Sequence, residues 1–241
     1  LAPVIEPIFN RMRQVDWLHA QNPDVYVANS SVVAERIEET YGRPAITVNY
    51  PIDATQFTFS ADKDDYYLVS SRLLGYKRID VIVEAFNWLG LPLLIIGDGP
   101  ERENLEARAL ENIRFLGHVS DDERRQLMAR AQMVVVAALE DYGLVPIEAN
   151  ISGTPVAAYG AGGVLDTQRP GVTGVFFERQ SPDALHAAVL QAKSITWDYG
   201  RIRDHAMHNF TREVFFERVQ RVIDQACQER AVSPCSVPQL A

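Results

Sequence analysis

Four side chains carry the chemistry that this sequence offers most clearly: Glu140 and Glu148, with seven residues between them, and Arg72 and Lys77, with four. Glu140 follows the apolar run Val134–Leu139. That run lacks the alternation of a half-exposed strand, which predicts a strand buried on both faces. Asp141, Tyr142 and Gly143 turn the chain, and Pro146 fits the first turn of a following helix, where its missing N–H costs nothing. Gly153 and Pro155 end that helix early. Glu140 then stands at a strand end and Glu148 in the first turns of a helix, on the edge where open α/β sheets bind ligands. Free N–H groups at the helix start favour an anion, most naturally a phosphate. Two carboxylates beside it suit the hydroxyls of a sugar or a ribose. Taken alone, the pair also fits two surface acids flanking a turn.

Arg72 and Lys77 lie between a predicted strand and a predicted helix, at the same carboxyl edge as Glu140. Two fixed cations there can neutralise a diphosphate and the charge that grows on it as a bond to it breaks, and such stabilisation is commonly the largest catalytic term. The bland reading is a pair of solvated surface cations, and the neighbouring Arg78 is expected to face solvent. Gly97 sits in the turn Ile96-Gly97-Asp98-Gly99-Pro100, which lacks the full G-x-G-x-x-G of a dinucleotide fingerprint. His118, next to Val119, is better read as a pocket wall than as a general base. His186, His205 and His208 show no partner pattern and read as packing or surface residues.

The elements that must position these groups follow from periodicity. Ile5, Ile8, Phe9, Met12 and Val15 fall at helical spacing, and a strand at 24–30 precedes a helix capped by Ser30 or Ser31 and ending at Tyr41-Gly42. A short strand at 45–48 and a turn at 49–53 follow. From Tyr66 strands and helices alternate: strands at 66–70, 93–96, 113–116, 156–159 and 174–177, and helices at 79–89, 101–110, from Ser120, and 181–193. Ser120 with Glu123 forms a capping box. This alternation predicts an α/β fold with a doubly wound, parallel, Rossmann-like sheet. Past Trp197 the pattern is helical, with Phe215, Val219, Val222, Ile223 and Ala226 on one face. The expected organisation is an N-terminal segment with a linker over 1–60, an alternating α/β domain over 61–195, helices over 196–230 and a loose tail over 231–241.

The segment Glu140-Asp141-Tyr142-Gly143-Leu144-Val145-Pro146-Ile147-Glu148-Ala149, with Arg72-x4-Lys77 ahead of it, resembles the signature of the retaining GT-B glycosyltransferases known as glycosyl transferases group 1, in particular bacterial mannosyltransferases. The resemblance covers roughly residues 25 to 190 in order and spacing. It implies that residues 1–60 are a remnant of an acceptor-binding N-terminal domain and that the helices after Trp197 cross back toward that domain. It further implies that Arg72 and Lys77 stabilise the leaving diphosphate and Glu140 contacts the transferred sugar. By the same likeness Glu148 holds the ribose hydroxyls, and Tyr142, Gly143, Leu144 and Val145 offer backbone N–H groups to the diphosphate. Gly97, His118 and Val119 then border the nucleotide. Tyr142 replaces a more usual Phe, and Asp166, after the glycines at 160, 162 and 163, replaces a more usual Glu, which weakens any direct sugar contact there. The reaction implied is transfer of a hexosyl group, with mannosyl the first expectation, from a nucleotide diphosphate sugar to an acceptor hydroxyl with retention. GDP-mannose is the first donor expected and UDP sugars the second. No cofactor and no metal motif are expected.

A glycoside hydrolase would also use two acids, but it has no need of the Arg72–Lys77 pair or a phosphate-binding helix start, and a sugar-nucleotide epimerase on the same fold lacks this motif. The alternative from another class is a non-catalytic nucleotide-sugar-binding module that needs a partner domain. Exposed Ile5, Ile8 and Phe9 would be the surface for that partner or for a homodimer. The net charge of −9 argues against a nucleic-acid surface and supplies no polybasic anchor for anionic lipid. No apolar run approaches the roughly 18 residues of a membrane span, and the N-terminus lacks the pattern of a signal peptide. A cytoplasmic location is expected, with peripheral contact at the inner membrane face left open for a glycan or lipid-linked acceptor. Cys227 and Cys235 read as free thiols.

Overall fold

The computed structural model describes the backbone of residues 2–232 and side chains from 5 to 229. Two compact units result, one of Leu1–Tyr50 with Phe215–Ala241 and one of Pro51–Val214. In the first, α1 (Ala2–His19) leads to β1 (Tyr26–Ala28), α2 (Ser31–Tyr41) and β2 (Ala45–Thr47). The Ser30 hydroxyl caps α2 by accepting from the Val33 N–H, and Gly42 ends it in the left-handed conformation. Strands β1 and β2 pair in parallel. The turn between α1 and β1 is clamped by Arg43, which donates to the carbonyls of Gln21 (3.0 Å) and Pro23 (2.8 Å).

The second unit alternates β3 (Tyr67–Ser70), α3 (Ile79–Leu89), β4 (Leu93–Ile96), α4 (Arg102–Arg108), β5 (Ile113–Gly117), α5 (Asp121–Arg130), β6 (Met133–Val136), α6 (Leu144–Ile151), β7 (Val156–Tyr159), α7 (Val164–Thr167), β8 (Gly174–Phe177), α8 (Pro182–Lys193) and α9 (Tyr199–Phe210). Its six strands are parallel in the order β5-β4-β3-β6-β7-β8. Alternate strand residues feed two apolar layers, as a sheet covered on both faces requires. Val69, Ile95 and Val135 pack with Phe86 of α3 and Leu185 of α8, whereas Leu68, Ile96 and Val134 pack with Met128 of α5 and Ala149 of α6. The last helix, α10 (Arg212–Val232), runs from one unit into the other.

Several expectations are corrected. The strand at the end of the apolar run is Met133–Val136, and Leu139 is 57% exposed. Pairing with β3 stops at Val134 and with β7 at Val136, so the chain beyond has no neighbour to continue the ladder. The helix expected at 101–110 closes at Arg108, where the Asn87 side chain accepts from the Leu110 N–H (3.0 Å) and draws the chain away. Ile223 is exposed, because Phe215, Val219, Val222 and Ala226 form a helical stripe that leaves it at the margin. The units divide at Tyr50–Pro51 rather than near residue 60, and at Val214–Phe215 rather than near residue 196. The Ile52 N–H donates to the Phe210 carbonyl (2.8 Å) and Lys63 donates to the Ala129 carbonyl and Thr154 hydroxyl (both 2.7 Å), which ties 51–66 to the sheet unit. Arg203 of α9 donates to the Ile151 carbonyl (2.8 Å), which does the same for 199–210. Of the expected tail, residues 231 and 232 end α10, and the rest, with Cys235, lies outside the described residues; Cys227 is an exposed free thiol.

A buried polar network pins α6 to the segment after α7. The Asn150 amide donates to the carbonyls of Thr154 (3.1 Å) and Thr173 (3.3 Å) and accepts from Gln168 (2.8 Å), and Asn150, Gln168 and Thr173 are all buried. Asn150→Ala leaves two carbonyls and an amide without this partner. It should lower stability by about 2–3 kcal/mol in urea unfolding; a loss below about 0.5 kcal/mol would remove the network from the account of what positions α6.

Candidate functional site

Strands β3 and β6 are neighbours, yet the chain leaves β3 toward β4 and leaves β6 toward β7, on the opposite side. No connection crosses their carboxyl ends, and a crevice opens there, as at the switch point of any doubly wound sheet. It holds a cleft of about 190 Å³ whose lining includes Ser71, Arg72, Lys77, Ala138, Glu140 and Val145. The structure therefore brings Arg72, Lys77 and Glu140 onto one cavity, whose lining does not include Glu148.

Lys77 ends a 3-10 turn at Gly75–Lys77. Its Nζ lies 2.6 Å from Glu140 Oε1, with the two side chains only 16% and 23% exposed. Arg72 is exposed, and its guanidinium lies 3.4 Å from the Tyr76 hydroxyl. Arg78 departs from the expectation of a solvated side chain. It adopts the left-handed conformation (φ 52°) and forks onto Asp80 at 3.1 and 3.3 Å.

Glu140 is fixed by the glycine loop after β7. The Gly163 N–H donates to its carbonyl (2.8 Å), and Glu140 bridges Gly162 in parallel fashion. A Cβ on Gly162 (φ +76°) would overlap the Glu140 carbonyl oxygen, and one on Gly163 would overlap that of Asp141. Gly97 acts similarly at the other side of the crevice. A Cβ there would overlap the Ser71 carbonyl oxygen, and its N–H donates to the Gly117 carbonyl (2.8 Å). Gly97 thus shapes the segment that carries Arg72. Beside it, the Asp98 carboxyl is held below the usual carboxylate range, first by the Gly99 N–H (2.7 Å) and then by Arg102 (3.1 Å).

Gly143 is the N-cap of α6, so Leu144 and Val145 begin the helix. The first N–H groups of a helix lack intrahelical partners and sit at the positive end of its dipole. Val145 lines the cleft while Leu144 is 47% exposed. The Tyr142 ring does not enter the cleft; it is buried with Ile147, Ile151 and Phe210 and anchors the turn before α6 against α9. His118 is exposed at the end of β5, and Val119 packs on the α5–α6 layer.

Glu148, one turn into α6, meets a residue that sequence reasoning missed. Arg124 of α5 places Nη1 2.6 Å from Glu148 Oε2 and Nη2 3.4 Å from Oε1. No local signal pointed to it, because Arg124 follows three first-turn carboxylates, Asp121, Asp122 and Glu123, and already has Asp121 within 3.7 Å. Among the described residues no group of three or more His, Cys, Asp or Glu converges as metal ligands do, and no helix is long and apolar enough to cross a membrane.

A six-stranded parallel sheet wound on both faces, with cations and carboxylates at its switch point, is a Rossmann-like architecture with a ligand site at its carboxyl edge. Residues 53–211 match the family described as glycosyl transferases group 1, and the chain belongs to that family. It is 26% identical over 215 residues to the D-rhamnosyltransferase WbpZ of Pseudomonas aeruginosa, covering 83% of this chain and 55% of the relative. It is 29% identical over 192 residues to a glycogen synthase of Mycobacterium tuberculosis, covering 72% and 46%. The chain spans about half the length of these curated relatives. In fold it resembles a sucrose-phosphate synthase of Thermosynechococcus elongatus, with a TM-score of 0.75, 21% identity and coverage of 91% and 62%. It also resembles Anabaena Alr3699/HepE in complex with UDP and glucose, with a TM-score of 0.71, 19% identity and coverage of 83% and 63%.

Gly162→Ala must displace the Glu140 backbone and strain a left-handed position. It should destabilise the chain by about 1–3 kcal/mol, whereas Gly75→Ala, whose added Cβ meets nothing within 4 Å, should be close to neutral. Equal thermal shifts for the two would contradict the close approach described here.

Proposed function

We propose that the switch-point cleft binds a nucleotide diphosphate sugar and that the chain supplies the donor half of a hexosyl transfer to an acceptor hydroxyl with retention. The observation that carries this reading is the Lys77–Glu140 pair at 2.6 Å on a cleft shared with Arg72 and the start of α6. The bond between the sugar's anomeric carbon and the diphosphate oxygen breaks, and Arg72, Lys77 and the first N–H groups of α6 stabilise the charge left on the diphosphate. That diphosphate takes the proton of the acceptor hydroxyl, which attacks on the same face. Glu140 holds the transferred sugar's hydroxyls and Glu148 those of the ribose, while the base rests along Gly97 and Gly117–Val119. GDP-mannose is the first donor to test. UDP sugars are the second, since a solved fold neighbour holds UDP and glucose.

A second reading, a donor-binding module without turnover of its own, is favoured by one observation. Ile8, Phe9, Met12 and Leu18 of α1 are each more than half exposed, in a chain about half as long as its relatives. We assign that face to a further domain carrying the acceptor, a glycan or a lipid-linked sugar; a second copy of the chain would instead appear as a dimer in sedimentation. No nucleic-acid partner is proposed.

Calorimetric titration with GDP and UDP tests the donor site. One nucleotide should bind, and Lys77→Ala and Glu148→Ala should each weaken it by about tenfold or more. Unchanged affinity in both variants, or no binding by a folded chain, would refute the site.

A further inference from the structure

We infer that Arg124 is the positioning residue that makes Glu148 a ribose-reading group, an inference that rests on the donor site proposed above. A carboxylate reads a ribose diol most selectively when it is ionised and its plane is already fixed, because both hydroxyls can then donate to it without further ordering cost. Glu148 stands on α6, where the Arg124 guanidinium donates to both of its carboxylate oxygens, at 2.6 and 3.4 Å. The fork geometry fixes the plane of the carboxylate, which a single ammonium does not. The pair is also sheltered, with the side chains 20% and 18% exposed. By contrast Arg108–Glu84, Arg130–Asp64 and Arg179–Asp183 leave both partners more than two-fifths exposed.

Placement supports the same role. Arg124 lies in the opening turns of α5, whose N-cap Ser120 follows the β5 exit at Gly117–Val119 by one residue. Arg124 and Glu148 therefore stand between the edge assigned to the base and the start of α6 assigned to the diphosphate, where the ribose of a nucleotide spanning the two must pass. Arg124 also offsets the charge of Glu148, which would otherwise repel the diphosphate. A carboxylate offers about four lone-pair sites and the guanidinium fork occupies two, so two remain for a pair of hydroxyls.

The test compares GDP and UDP with their 2′-deoxy and 3′-deoxy analogues on the wild-type chain, Arg124→Met, Arg124→Lys, Glu148→Gln and the Arg124→Met/Glu148→Gln double variant, with thermal melting as the folding control. The wild type should prefer the ribonucleotide by about 10- to 100-fold. Arg124→Met should lose most of that preference, and Arg124→Lys should restore part of it. In the Glu148→Gln background, Arg124→Met should change affinity by less than about twofold, because the two act as one unit. A ribose preference kept intact in Arg124→Met, or full additivity in the double variant, overturns the role of Arg124 while leaving the donor site standing. A wild type that binds the deoxy analogues equally well overturns it by removing Glu148 from the ribose. A wild type that binds no nucleotide overturns the donor site and this role together.

Discussion

Everything at the candidate site depends on one topological constraint, the adjacency of β3 and β6. Because the sheet grows from β3 in one direction and from β6 in the other, two strand exits open onto the same crevice without a connection to fill it. The exit of β3 carries Arg72 and Lys77; the exit of β6 carries Glu140 and the start of α6. Residues 63 positions apart in sequence thus meet at 2.6 Å. The glycine loops at Gly97 and Gly162–Gly163 are the local answer to that meeting, since each admits a neighbouring backbone carbonyl where a side chain would stand.

The charges are arranged in pairs. Glu140 is matched by Lys77 and Glu148 by Arg124, and each partner is less than one quarter exposed. Ion pairs of this kind contribute about 1 kcal/mol or less to stability once desolvation is counted, so folding alone gives little reason for two of them on one edge. With both carboxylates neutralised, exposed Arg72 and the α6 N-terminus leave the edge with a positive balance.

Much of this was legible in the sequence because local rules decided it. The helix Ile79–Leu89 and the strands at 93–96, 156–159 and 174–177 fall where periodicity and turn residues place them, and Ser30, Gly42 and Ser120 cap as their types require. What failed was non-local. Nothing in Val134–Leu139 says that β6 loses its neighbours after Val136, or that Tyr142 turns inward onto Phe210. Arg78 could not be read as left-handed because its fork to Asp80 depends on the turn that holds it. Arg124 was missed for the same reason: the carboxylate that explains it lies 24 residues away on another helix.

The central claim is that a nucleoside diphosphate occupies the switch-point cleft. A crystal of the chain soaked with GDP or UDP tests it most directly. The account predicts phosphate oxygens within hydrogen-bonding distance of Lys77 Nζ and of the backbone N–H groups that open α6, with the ribose beside Glu148. A nucleotide seated instead in the cleft of about 400 Å³ at the opposite edge of the sheet, lined by Tyr67, Gln132 and Trp197, would contradict it.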